Sequence, residues 1–236
     1  MINKFTIEDV RHFWDRVASI YEPTNKNVGY AHTQRFEKAL EFSQCKPGMR
    51  ILNIWSRTGN LLPYLRTISN LEIHNREVSP AMMKISIDKF PEEEFKLTDL
   101  ENLSEFPDNY FDRIISLETL EHTPKPLVFL KELHRIVKPD GLLIMSLPPK
   151  GFDIPTWLYE QFFPNHGEGP HNFPWPYQVK RVLKKSEFTI LKHKKFIIVP
   201  LINDKLTRAS EAVLGFLFGW TPLANFGIRQ FYIAKK

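Results

Sequence analysis

The stretch RILNIWSRTGNLLPYL, Arg50 to Leu65, runs from a short apolar segment through a turn into a helix start. In nucleotide-binding α/β sheets a turn of this kind carries several glycines. They allow φ > 0 and let the backbone approach a ligand closely. Here only Gly59 is present, and Trp55 and Arg57 stand where small residues are expected. The stretch therefore sets the fold and also raises the question of whether the turn can still serve a ligand.

Outward from this unit, strand and helix patterns alternate. LEIHNREV alternates as a strand, and SPAMMKISIDKF opens a helix with Ser79 as N-cap and Pro80 at the first helical position. EFKLT and FDRIISL read as strands. Leu127, Leu130, Leu133, Ile136 and Val137 recur at helical spacing, KPDG ends that helix, and LLIMSL is a buried strand. PYQVKRVLKKSE reads as a helix, FTILKHKKFIIV as a long strand and RQFYIAKK as the last one. Strands are expected near 50–54, 71–77, 94–98, 111–117, 142–147, 188–199 and 229–234. Short connections between alternating elements imply a parallel sheet with helices on both faces. Residues 1–236 form one domain in this reading. Residues 1–45 make a cap of two helices, and residues 148–175 form a lid-like insertion after the fifth strand, where such sheets bind ligands.

Composition narrows the classes. The chain has 236 residues, 42% hydrophobic, enough for one substantial core. Its net charge of +5 fits a solvated basic surface or an anionic partner. The one cysteine, Cys45, excludes an intrachain disulfide and fits a reducing compartment. The N-terminus lacks an apolar signal region, so a cytoplasmic location is expected. The apolar stretch AVLGFLFGWTPLANFGI is broken by glycines and Pro222, short of a spanning helix. The segment LTRASEAVLGFLFGW is expected to be a buried core helix, with a membrane-surface contact or the lining of a pocket as the alternatives. KRVLKK and KHKK are basic, but no RNA-binding module accompanies them, so a nucleic-acid partner is not expected. The first turn also lacks the G-x-G-x-x-G of a nicotinamide dehydrogenase. Oligomeric state is not legible.

Three stretches resemble the class I S-adenosylmethionine-dependent methyltransferases: KPGMRILNIWSRTGN, EVSPAMM and, most specifically, FPDNYFDRIISLETLEHTPKPLVFLKELHRIVKPDGLLIMSLPP. FWDRVASIYE also resembles the start of quinone-biosynthesis methyltransferases. The resemblance implies a Rossmann-like α/β fold of seven strands, mostly parallel, with the last antiparallel. It implies S-adenosyl-L-methionine as cofactor and a small or lipid-like acceptor, methylated at oxygen.

On that resemblance, Glu77 at the end of strand two is the ribose carboxylate, since one carboxylate accepts from both diol hydroxyls. Asp99 accepts from the adenine amino group, and Leu100 packs on the ring. Val78 and Leu117, at the ends of strands two and four, join the cofactor set. In the first motif Asn53 replaces an acid, Trp55 and Arg57 replace glycines, and Gly59 remains. Arg57 either pairs with the methionine carboxylate or crowds the site. The candidate bases are His122, His166 and His171, because methyl transfer to a hydroxyl needs a proton acceptor as well as positioning. Glu118, Glu121 and His122 resemble a metal-ligand pattern of small-RNA 2′-O-methyltransferases, but no metal is expected. The aromatic residues of the insertion suggest an apolar acceptor pocket. The competing functions are a catalytically degenerate binding protein with this fold and an RNA-modifying enzyme.

Overall fold

The structure is a computed structural model that describes residues 3–26, 29–154, 157–158, 167–198 and 203–236. Helices α1 (Ile7–Lys26) and α2 (Gly29–Ser43) precede the sheet. Then follow β1 (Arg50–Ile54), α3 (Leu62–Leu65), β2 (Glu72–Glu77), α4 (Pro80–Lys89), β3 (Phe95–Leu97), β4 (Phe111–Leu117), α5 (Pro126–Ile136) and β5 (Val137–Leu147). The chain closes with α6 (Pro176–Lys185), β6 (Thr189–Phe196), α7 (Asp204–Phe218) and β7 (Arg229–Lys235).

One seven-stranded sheet has the order β3-β2-β1-β4-β5-β7-β6. β1 to β5 pair in parallel, and β7 lies antiparallel between β5 and β6. The expected strands and the reversed last strand agree with this sheet. Alternate residues of each strand feed two cores. Leu52, Ile114, Leu143 and Tyr232 pack with α1, α4, α5 and α6. Ile51, Ile115, Ile144 and Phe231 pack with α2 and α3. Burial on both faces explains why these strands read as continuous apolar runs.

The start of α4 follows its sequence signal, with Ser79 Oγ accepting from the Met82 N–H at 3.1 Å. Three readings need correction. The helix begun at GNLLPYL covers only Leu62–Leu65. Val137 starts β5 instead of ending α5, and KPDG lies within β5, where the pairing with β4 shifts register between Phe111 and Arg113. Pro139 disfavours helical backbone at the residue before it, so the helix stops early. The third concerns α7, which is no core helix: of its residues only Thr207 is buried.

One buried ionic cluster ties the C-terminal end of the sheet together. Glu118 leaves β4 with φ 52°. Its carboxylate accepts from Arg35 of α2 and, at 2.9 Å, from Arg229 of β7. Arg229 also donates to Gln34 Oε1 at 2.8 Å, and Gln34 donates to Glu211 of α7 at 3.0 Å. Burial alone would raise the Glu118 pKa, but the two guanidiniums hold it well below the usual carboxylate range. Removing one member of such a cluster leaves buried charge uncompensated, at a cost of about 3–5 kcal/mol. Glu118→Ala is expected to lose about that much stability in urea unfolding. An unchanged midpoint would show that the cluster contributes nothing.

Candidate functional site

The β1–α3 turn keeps the backbone of a glycine-rich loop with other side chains. Trp55, Arg57 and Gly59 have φ of 57°, 53° and 77°, all left-handed. Gly59 has no room for a side chain, since a Cβ there would lie 2.9 Å from the Phe90 ring. The loop is pinned to the end of β2. The Ser56 N–H donates to Arg76 O at 2.9 Å, and the Arg57 N–H donates to Glu77 Oε2 at 2.5 Å. Glu77 Oε1 accepts from the Ser79 N–H at 3.0 Å. Glu77 is wholly buried, and burial pushes its carboxyl up to about 7 despite the nearby Arg57 and the backbone donors.

The Arg57 guanidinium lies in the corner of two perpendicular indoles, its Cζ 3.8 Å from the Trp14 ring centre and 3.7 Å from that of Trp55. Its Nη2 donates to Glu118 O at 3.3 Å. Its Nη1 is buried and has no hydrogen-bond partner among the described residues. Burial, the largest effect, lowers the Arg57 pKa.

His122 sits in the turn after β4, wholly enclosed. Its ring meets Trp14 and Trp55 edge-on, with centres 5.7 and 5.3 Å away. Its Nδ1 is 2.8 Å from Pro170 O. A carbonyl can only accept, so that contact assigns the proton to Nδ1 and leaves Nε2 as the basic nitrogen. Burial and then Arg57 push the His122 pKa well below its ordinary value, so the ring is neutral. Glu121 beside it is buried and pushed well up, first by burial and then by Glu118; its Oε2 has no partner among the described residues.

The returning end of the 148–175 insertion lies against this group. The Asn172 N–H donates to Glu121 O at 2.9 Å, and Asn172 Nδ2 donates to Asn3 Oδ1 at 2.8 Å. His171 is 6.2 Å from His122 between ring centres and 4.3 Å from Phe173. Residues 155–156 and 159–166, with His166, lie outside the described residues.

The structure thus gathers Trp55, Arg57, Gly59, Glu77 and His122 at the C-terminal end of the central strands, with His171 at the border. Asn53 is turned into the sheet, where it donates to Asn75 Oδ1 at 2.9 Å. Asp99 is exposed after β3 and accepts from the Glu101 N–H at 2.8 Å. Val78 and Leu100 are core residues, and Leu117 packs at the edge of the α2 core. Among the described residues no three His, Cys, Asp or Glu side chains are grouped to hold a metal ion.

Sequence reasoning missed the contribution of α1. Trp14 supplies one of the two perpendicular indoles against Arg57. Asp15 accepts from Ser79 Oγ and, at 3.1 Å, from the Ala81 N–H, capping α4. Glu22 accepts from Thr58 and from Asn60, the latter at 2.9 Å. Arg35 and Arg229 were missed as well. An arginine inside the apolar strand RQFYIAKK is a signal in itself, since a buried cation needs a partner.

A doubly wound sheet in this order, with a left-handed loop after β1 and a carboxylate at the end of β2, defines the class I methyltransferase architecture. Comparison with known proteins agrees. The model of a methyltransferase domain matches residues 52–145. The ubiquinone/menaquinone biosynthesis C-methyltransferase of Coxiella burnetii is 28% identical over 148 residues, 58% of each chain. The ubiquinone biosynthesis O-methyltransferase of Bradyrhizobium diazoefficiens is 26% identical over 146 residues, 57% of this chain and 56% of the relative. Each match thus spans less than two thirds of the relative's length. Among solved structures, an S-adenosylmethionine-dependent methyltransferase from Mesorhizobium loti superposes with a TM-score of 0.65 at 15% identity, covering 88% of this chain and 99% of the other. The 4+2 cyclase SpnF superposes at 0.71 with 18% identity, covering 100% and 98%. Residues 52–145 thus match a methyltransferase-domain family, and the chain is similar at 26–28% identity to quinone-type methyltransferases.

The raised Glu77 pKa gives a test of the site in the free protein. Unfolded, Glu77 releases its proton near 4.5; folded, it holds the proton to about 7. Between these values the folded state binds more protons, so this group's contribution to stability is full below 4.5 and is lost as pH rises through about 7. Relative to the parent, Glu77→Gln should gain stability as pH rises from 5 to 8. A constant difference between the two across that range would contradict a buried, raised Glu77.

Proposed function

We propose that the chain is an S-adenosylmethionine-dependent methyltransferase acting on a small or lipid-like acceptor, with transfer to oxygen. The observation that carries this reading is Arg57 Nη1, a buried guanidinium donor with no hydrogen-bond partner among the described residues, at the loop that the family uses for its cofactor. A carboxylate is the group that satisfies such a donor. The methionine end of the cofactor bears one. Glu77 supports the reading from the other side, as a carboxylate with lone pairs left for a diol after two backbone donors.

When bound, the cofactor supplies an electrophilic methyl group. The chain's own residues hold and orient the reactants. Glu77 would hold the ribose hydroxyls and Arg57 the carboxylate, with Trp55 and Trp14 fixing the guanidinium in the corner they form. Their indoles and the returning insertion exclude water from the region around His122. Neutral His122, with Nδ1–H committed to Pro170 O, offers Nε2 as acceptor for a hydroxyl proton. The quinone-biosynthesis enzymes among the relatives favour an apolar aromatic acceptor; their names include both C- and O-methyltransferases.

A second reading has one observation in its favour. The Arg57 side chain itself fills the space between Trp14 and Trp55. In a degenerate site that side chain would be an obstruction, and the protein would keep the fold without the chemistry. Calorimetric titration separates the two. The parent is expected to bind S-adenosylmethionine and S-adenosylhomocysteine. Arg57→Gly should weaken S-adenosylhomocysteine about tenfold or more, on the scale of one lost charged hydrogen bond, and leave adenosine nearly unchanged because it lacks the carboxylate. Tighter binding by the glycine variant would sink the working-site reading. Equal weakening of both ligands would point to a loosened loop, not a lost ion pair.

A further inference from the structure

Helix α7 is built inside out. Its two acidic residues turn toward α2. Asp204 Oδ1 accepts from the Tyr30 N–H at 3.1 Å, and Glu211 accepts from Tyr30 Oη at 2.6 Å and from Gln34 Nε2 at 3.0 Å. Its apolar residues face outward. Leu206, Val213, Leu217 and Trp220 follow one another at spacings of seven, four and three residues, which places them on one stripe with Phe216 beside it. All five are exposed, Phe216 and Trp220 to 83%. The stripe continues into the turn after the helix through exposed Leu223 and Phe226. Residues 212–228 carry no charged side chain.

We infer that this outward face of α7 and the turn 220–226 is an interfacial docking surface for an anionic phospholipid membrane. Charge selects the occupant. Residues 188–236 hold eight Lys and Arg and two acids, Asp204 and Glu211, both turned toward α2; of the eight, Arg229 is buried on Glu118, Arg208 pairs with Glu37 and Lys235 with Asp140. Lys205 is exposed beside the stripe, and β6, the edge strand next to α7, carries Lys192 and Lys194 on the sheet face that α2 covers. A second copy of the chain would bring this cationic region against its like, whereas anionic headgroups neutralise it. Apolar residues flanked by basic ones are the composition of a helix lying in the headgroup region. Lying, not spanning, is required by size: the 15 residues of α7 reach about 22 Å against a hydrocarbon core of about 30 Å. No helix among the described residues is long and apolar enough to cross a membrane. The inference stands apart from the methyl-transfer reading, because it uses none of the cofactor-site residues.

The test is flotation of the full chain with phosphatidylcholine vesicles, with and without phosphatidylglycerol. The parent should float with the anionic vesicles, release as salt rises, and show a blue shift of tryptophan emission on binding. The double variant Phe216→Ser, Trp220→Ser removes only exposed side chains, so its thermal midpoint should match the parent. Its vesicle binding should fall about tenfold or more. Lys205→Glu should weaken binding to the anionic vesicles alone. No parent binding to anionic vesicles would overturn the inference, and so would undiminished binding by the double variant. A double variant that converts a dimer to a monomer in sedimentation, with vesicle binding unchanged, would assign the face to a second copy instead.

Discussion

The carboxylate of Glu118, held between Arg35 and Arg229, is the constraint on which the C-terminal end of the sheet depends. It joins α2, β4 and β7 directly, and α7 through Gln34 and Glu211. The same residue serves the site with its backbone, since its carbonyl accepts from Arg57. Two guanidiniums around one carboxylate leave an excess of positive charge in the interior. The neighbouring acids do not cancel it, because burial pushes both Glu77 and Glu121 toward their neutral forms. Arg57 therefore sits in a region where positive charge is poorly balanced at neutral pH. That is the electrostatic reason an anionic ligand group suits the position.

The loop after β1 separates two properties that glycine normally supplies together. One is left-handed backbone and the other is empty space. Trp55 and Arg57 keep the first and give up the second. Left-handed backbone costs a residue with a side chain on the order of 1–3 kcal/mol. Stacking a guanidinium on an aromatic face in a desolvated site returns about 2 kcal/mol. Burial of the Trp55 indole adds a term of similar size. The departures from glycine are thus mutually supporting, and neither side chain would be stable in that geometry without the other and Trp14.

How much of this was legible follows from which contacts are local. The strands, the Ser79–Pro80 helix start and the two leading helices were readable because periodicity and caps are written within a few residues. Glu77 was readable because the motif places an acid at a strand end. Trp14, Asp15 and Glu22 were not, since their partners lie on the β1–α3 loop and the start of α4, far along the chain. Arg35 and Arg229 share Glu118 across separations of 83 and 111 residues, which no local pattern encodes. Asn53 took its role in the sheet from Asn75 on the neighbouring strand, a partner that only the register reveals.

Helix α7 marks a different boundary. Its apolar character was visible, but neither composition nor periodicity says which way an apolar face points. The direction is set by Glu211 and Asp204, which turn inward to find Tyr30 and Gln34 on α2. Charge distribution carries what periodicity does not. The chain's excess of +5 leaves a basic surface and an anionic partner equally open when read as a whole. Placed on the structure, part of the excess lies on the strand and helix that flank the exposed apolar stripe, at Lys192, Lys194 and Lys205, while Arg229 is buried on Glu118 and Arg208 pairs with Glu37. A scattered excess would only keep the protein dispersed. An excess gathered around uncovered Phe and Trp side chains adds long-range attraction to short-range burial at the same face, and those are the two terms from which interfacial binding is built.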